Sequence, residues 1–312
     1  MENVKVTRAS SLILWYFKFW NSAFKNEDIP RFLLEEHLEK SFGRLRETDR
    51  LRHAIPWLTD SLLKKVSSLF LNCFPLRKLI PHVVNLGFFF DRIVEYKVAL
   101  RSSTIHRGDV LLDIGSAYSF FPSYLASLSY TISLDMNKDA MIFQKKASKS
   151  IGKTISQRLE CVIADCTRLP FKDESLSKVF LISTIEHIDK DNIVAKESGR
   201  VLKKNGECAI SIPSFSKIPR EPQTRPYFQR YYTIETFRER IIIPSSLSVK
   251  KISNFCKTFV SLFYSLVPQG WFIFKDLVIG LTLSKLEEIL LSRNKEGTLS
   301  VLKLRKDFER PQ

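Results

Sequence analysis

The residues best suited to chemistry in this chain sit in four short turns, each following an aliphatic or β-branched run. The first turn, Asp113-Ile114-Gly115-Ser116-Ala117-Tyr118-Ser119, follows Val110-Leu111-Leu112. Glycine at 115 allows a tight turn and lets a ligand approach the backbone closely. About twenty residues further on, Asp135 ends the next run, where a carboxylate can accept the two hydroxyls of a ribose. The third turn is Ala164-Asp165-Cys166-Thr167-Arg168-Leu169-Pro170-Phe171, and the fourth is Ser183-Thr184-Ile185-Glu186-His187-Ile188. His187 is the candidate general base, because an unperturbed imidazole titrates near neutrality. Its structural alternative is a histidine that bonds a nearby backbone group. Further on, Arg225, Tyr227, Arg230, Tyr231 and Tyr232 mix arginines with aromatics, a combination that can grip a phosphate or stack on a ring. The alternative there is a loop of packed tyrosines and solvated arginines. The histidines are dispersed and no pair has the helix-face spacing of a metal site.

The elements that position these turns follow from periodicity. Val110 to Ile114, Thr131 to Asp135, Leu159 to Ala164, Ser177 to Ser183 and Glu207 to Pro213 are strand-like and alternate with helical stretches. Such alternation predicts right-handed βαβ crossovers, hence an α/β doubly wound, mainly parallel sheet. Asn137 and Asp191 are placed to cap two of the helices. Thr233 opens a third, which Pro244 should break. Leu247 to Phe255 and Thr298 to Arg305 alternate like a late antiparallel pair closing one sheet edge, for seven strands in all. The expected organisation is an N-terminal helical section or cap over 1–95 and a ligand-binding core over 96–255. A hydrophobic helical insertion over the acceptor side follows at 256–292, with the last strand and tail at 293–312.

Composition bounds the partners. Of 312 residues, lysine plus arginine contribute 49 and aspartate plus glutamate 33, and 49 − 33 leaves a net charge of +16. That balance suits an anionic partner, whether nucleic acid, an acidic membrane leaflet or a charged small molecule. The proportions exclude a disordered chain and a disulfide-stapled miniprotein. Five scattered cysteines without a CxxC pair fit a reducing, cytoplasmic setting. The run Leu12 to Phe17 is too short for a signal peptide, and Thr258 to Phe274 is broken by Pro268, Gln269 and Gly270 before it reaches transmembrane length. Phenylalanines interleaved with lysines, such as Phe17, Phe19, Phe259 and Phe263, raise the expectation of peripheral contact with the inner face of a membrane, against the simpler reading that they pack a core.

Taken in order, the four turns resemble the class I S-adenosylmethionine-dependent methyltransferases, in particular the type 11 domain shared with ubiquinone/menaquinone C-methyltransferases. The likeness rests on L-L-D-I-G-S at 111–116, S-L-D-M-N at 133–137, A-D-C-T-R-L-P-F-K-D-E-S-L at 164–176, S-T-I-E-H-I at 183–188 and R-V-L-K-K-N-G at 200–206. It implies a Rossmann-like sheet and S-adenosyl-L-methionine as cofactor. It also implies that Asp113, Gly115, Ser116 and Ala117 line the methionine end, that Asp135 holds the ribose, and that Met136 lies against adenine. Asp165 would accept from the adenine amino group with Cys166 beside it, and Ser183 and Thr184 would stand near the sulfonium. The sequence departs from the family at Ala117 and Ser119, where the family has further glycines.

The reading that follows is a methyltransferase acting on a small-molecule or lipid-like acceptor, with Arg225, Tyr227, Arg230, Tyr231 and Tyr232 at the acceptor mouth. Two alternatives stay open. One is an RNA methyltransferase, suggested by the charge but opposed by the greasy added segments and the lack of an RNA-binding module. The other is a non-catalytic cofactor-binding scaffold, suggested by the depleted glycine turn.

Overall fold

The computed structural model describes residues 12, 15, 18, 89–224, 228–255 and 299–307. The 256–292 insertion, most of the N-terminal section and the phenylalanine clusters within them lie outside the described residues. A first helix α1, Phe89–Ser102, leads into β1, Val110–Ile114. Then come α2 (Phe121–Leu128), β2 (Tyr130–Asp135), α3 (Lys138–Ile151), α4 (Lys153–Arg158) and β3 (Leu159–Ile163). After β4 (Leu176–Ile182) a 3-10 turn, Ile185–His187, precedes α5 (Asp191–Val201) and β5 (Leu202–Pro213). The described chain closes with α6, starting at Ile234–Phe237, and strands β6 (Ser248–Phe255) and β7 (Leu299–Arg305).

The sheet order is β3-β2-β1-β4-β5-β7-β6, with β7 antiparallel to both neighbours and the other pairings parallel. This is the doubly wound, seven-stranded sheet expected from the alternation, including its antiparallel edge. Its central strands are buried on both faces, so adjacent residues feed opposite cores. Leu111, Phe180 and Val301 face one cluster with α1, α2 and α3, including Tyr96, Leu100, Phe121 and Phe143. Leu112, Val179, Leu181 and Leu302 face the other, with Val194 and Ala195 of α5 and Phe237 and Ile241 of the α6 region.

Three local details differ from the sequence reading. The crossover between β3 and β4 has turns instead of a helix. Arg200 of α5 holds it, donating to the carbonyls of Leu169 and Phe171 and pairing with Asp173 at 2.6 Å. Asn137 caps α3 by accepting from Ala140 N, and Thr233 caps α6 by accepting from Thr236 N, but Asp191 does not cap α5. Its carboxylate is instead fully buried and taken up by Arg230, Arg240 and Tyr232. Pro244 does not break the last helix outright. Lacking an N–H to bond back, it follows a π-turn over Arg238–Ile242, and the helix ends one residue later, at Ser245, with Ser246 as its C-cap at φ +55°.

Candidate functional site

In an open α/β sheet a ligand sits beyond the carboxyl ends of the strands, where strand order reverses. Here the reversal lies between β1 and β4, so the first and fourth turns form the floor. Gly115 turns the chain at φ +72°, its N–H donating to Leu134 O at 2.8 Å. A Cβ at this position would lie 2.3 Å from Thr184 Cγ2, so only glycine lets the two turns close on each other. Thr184 locks the contact by donating its hydroxyl to Ile114 O and Ile182 O, both at 3.1 Å.

The rest of the first turn is tied from three sides. Asp135 accepts from Ala117 N through one oxygen and from Asn137 N through the other, each at 2.9 Å. Gln144 of α3 donates to the carbonyls of Ala117 and Ser119, and the Tyr96 hydroxyl of α1 lies 2.8 Å from Ser119 Oγ. Ser116 of the first turn and Ser133 of β2 share a 2.6 Å hydrogen bond. Ala117 holds φ +42°, a left-handed conformation that glycine adopts without cost and alanine does not. The turn therefore keeps the shape of a glycine turn without the glycine.

The carboxylates around it differ in environment. Asp113 is buried at the end of β1, and burial, then the neighbouring negative charge of Asp135, push its carboxyl well above the usual range. Asp165 is exposed and is held below the usual range by hydrogen bonds from the backbone N–H and hydroxyl of Thr167. Burial pushes the Cys166 thiol up to about 11, so it is an unreactive neighbour. Met136 follows Asp135 and is 68% exposed, an apolar surface next to that carboxylate in the chain. A carboxylate has about four acceptor positions, so Asp135 keeps capacity for two hydroxyls beyond its backbone bonds. The cradle fits a nucleoside with a charged tail.

The fourth turn holds a residue that pattern reading did not find. Ser183, at φ +46°, donates its hydroxyl to Glu95 Oε1 at 2.6 Å, and Ser211 of β5 donates to the same oxygen at 3.2 Å. Glu95 comes from α1 and is 1% exposed. A charged residue inside a helical run carries no sequence sign of being buried, and the only signal was a helix before the first strand. His187 places Nδ1 2.9 Å from the carbonyl of Phe228 and Nε2 3.8 Å from Glu186 Oε1. This is the backbone-bonding arrangement that stood as its structural alternative.

The arginine and tyrosine segment is corrected in part. Tyr232 is buried and donates its hydroxyl to Asp191 Oδ2 at 2.8 Å, so it cannot stack on an acceptor. Arg230 pairs with the same carboxylate at 3.0 Å and with Asp189 at 3.2 Å, which makes it an anchor for the loop. Both serve the buried charge because an unpaired carboxylate there would cost several kcal/mol. Tyr231 is partly exposed, its ring 5.8 Å from the Arg220 guanidinium. Arg225 and Tyr227 lie outside the described residues. At the opposite edge of the sheet, a cavity of about 640 Å³ is lined by His106, Arg107, Asp109, Lys178, Lys203 and Lys204.

Residues 112–210 match the family model described as a methyltransferase domain, of type 11. Among curated proteins, none matches significantly. The fold has many solved counterparts. A [4+2]-cyclase, SpnF, is 14% identical at TM-score 0.51, with 70% of this chain and 81% of that one covered. A putative methyltransferase from Haloferax volcanii, solved in complex with the Trm112 methyltransferase activator, is 13% identical at TM-score 0.51, over 72% and 96%. The geranyl diphosphate C-methyltransferase from Streptomyces coelicolor A3(2), in complex with Mg2+, geranyl diphosphate and S-adenosyl-L-homocysteine, is 10% identical at TM-score 0.51, over 69% and 79%. At such identities the likeness shows the fold alone, and a cyclase among the neighbours shows that one fold hosts more than one reaction.

Proposed function

We propose that the chain uses residues 112–210, which match the methyltransferase domain of type 11, to bind S-adenosylmethionine and to methylate a small-molecule or lipid-like acceptor. Bound, the donor supplies a methyl carbon already activated by a sulfonium leaving group. The chain's own residues bind, align and exclude water. Asp135 takes the ribose hydroxyls, Asp165 the adenine amino group, and Met136 the face of the ring. The backbone of Gly115 to Ala117 and the buried Asp113 hold the methionine end. Ser183 and Thr184 bound the sulfonium, and His187 positions the loop over the acceptor.

The observation that carries the acceptor class is the character of the segment after β5. Arg230 is turned inward onto Asp191, whereas Ile218 and Ile234 remain 63% and 65% exposed. Their two segments are joined by the bond from Ser216 N to Tyr232 O at 2.7 Å. Large exposed apolar side chains beside a ligand site suit an apolar or amphiphilic partner. Incubating the protein with methyl-labelled donor and either a lipid extract or total RNA tests this. Label should enter the organic phase; label in RNA, or in neither, overturns the acceptor class.

A further inference from the structure

We propose that Glu95, acting through Ser183, makes the site discriminate between the cationic methyl donor and the neutral thioether left once the methyl group has gone. The inference rests on the donor reading given above and concerns a residue outside the matched domain.

Glu95 reaches the switch point from α1, 88 residues before Ser183 in sequence. Its Oε1 accepts both the Ser183 hydroxyl at 2.6 Å and the Ser211 hydroxyl at 3.2 Å. Ser183 is the first residue beyond β4 and is partly exposed, and the next residue, Thr184, closes on Gly115. Having given its only proton to Glu95, the Ser183 oxygen can present only lone pairs to a ligand. The negative end of the hydroxyl dipole and the carboxylate behind it both favour a positive charge at the switch point.

Asp113, another buried acid near the switch point, is less suited to this role. Asp113 is 3% exposed, and burial beside Asp135 favours its neutral form. Glu95 is placed one hydroxyl away from the ligand side, close enough for a charge interaction in partly buried surroundings and too far for direct contact. It is therefore a positioning residue. Its field strengthens binding of the sulfonium and gives nothing to the thioether, which favours exchange of spent product for fresh donor.

Titration calorimetry of the full chain with S-adenosylmethionine and with S-adenosylhomocysteine, on wild type and Glu95→Gln, is the test. Glutamine keeps the shape and removes the charge. The dissociation constant for S-adenosylmethionine should rise roughly tenfold in the variant, while that for S-adenosylhomocysteine changes less than about twofold. A purely structural tie would weaken both ligands by the same factor, and that result overturns the proposal, as does no change in either. If Glu95→Gln fails to fold, Ser183→Ala serves instead, and it too should narrow the preference for the charged ligand. A wild-type protein that binds neither ligand overturns the donor reading itself, a different outcome from equal loss in the variant.

Discussion

The two edges of the sheet are built from opposite materials. The carboxyl edge carries Asp113, Asp135, Asp165 and Glu95, together with three left-handed backbone positions at Gly115, Ala117 and Ser183. The amino edge carries Arg107, Lys203 and Lys204 around its cavity, with Arg305 donating to Asn205 Oδ1 at 2.7 Å. Lys306 there donates to the carbonyls of Gly199 and Leu202, where α5 ends. In a parallel sheet with crossover helices, helix amino ends point to one edge and helix carboxyl ends to the other. Cations are favoured at the carboxyl ends of helices. Part of the net charge of +16 therefore satisfies helix ends far from the candidate site, and composition alone overstates the case for a nucleic-acid substrate.

The contrast can be broken most forcefully at Asp191. Replacing it with alanine leaves Arg230 and Arg240 without their buried partner, and removal of one partner of such a pair costs about 3–5 kcal/mol. Denaturant unfolding should show a loss of that size, and a much smaller one would mean the loop after β5 is not held by this charge. Next is Gly115→Ala. The added Cβ meets Thr184 at a prohibitive distance, so donor affinity should fall at least about a hundredfold, or roughly 2.7 kcal/mol. Retained micromolar binding by calorimetry would show that the turn opens without consequence.

The remaining expected effects are smaller. Burial raises the carboxyl of Glu207, but hydrogen bonds from Lys178 and Lys303, each at 2.6 Å, outweigh it and hold the group below its ordinary value. A lowered folded-state value means the stabilisation is present above about pH 4.3 and is lost as pH falls through the folded value. The melting temperature of wild type should therefore drop more steeply on acidification below that point than that of Glu207→Gln; parallel curves would deny the pairing. Ala117→Gly relieves a left-handed alanine, worth about 1–2 kcal/mol, against about 0.5–1 kcal/mol of added chain entropy. A net gain of about 0.5 kcal/mol is expected by thermal unfolding, and a loss would show that the alanine is not strained. Smallest of all, Lys203→Ser with Lys204→Ser should leave donor affinity within about twofold. A larger change would mean that the two edges communicate.

Much of this was legible from the residues. Strand positions followed from β-branched runs, since side-chain burial on a sheet is a local, periodic property. Asn137 and Thr233 announced their helices because capping is settled within three residues. Asp191 is also a residue type that favours caps and stands in the same kind of place, but two arginines distant in sequence competed for it and won. Likewise Arg230 and Tyr232 looked like acceptor contacts until the fold supplied a buried charge for them to satisfy. Glu95 was invisible for a related reason, its partners being Ser183 just beyond β4 and Ser211 on β5.

The sequence by itself determined the alternation of strands and helices, the order of the four turns, and hence the carboxyl edge as the place of the candidate site. These depend on spacing along the chain. The tertiary structure alone decided which charged groups face that edge and which are consumed in holding it together. A charge cannot be buried without a partner, and the partners are brought within reach only when helices and strands distant in sequence have packed.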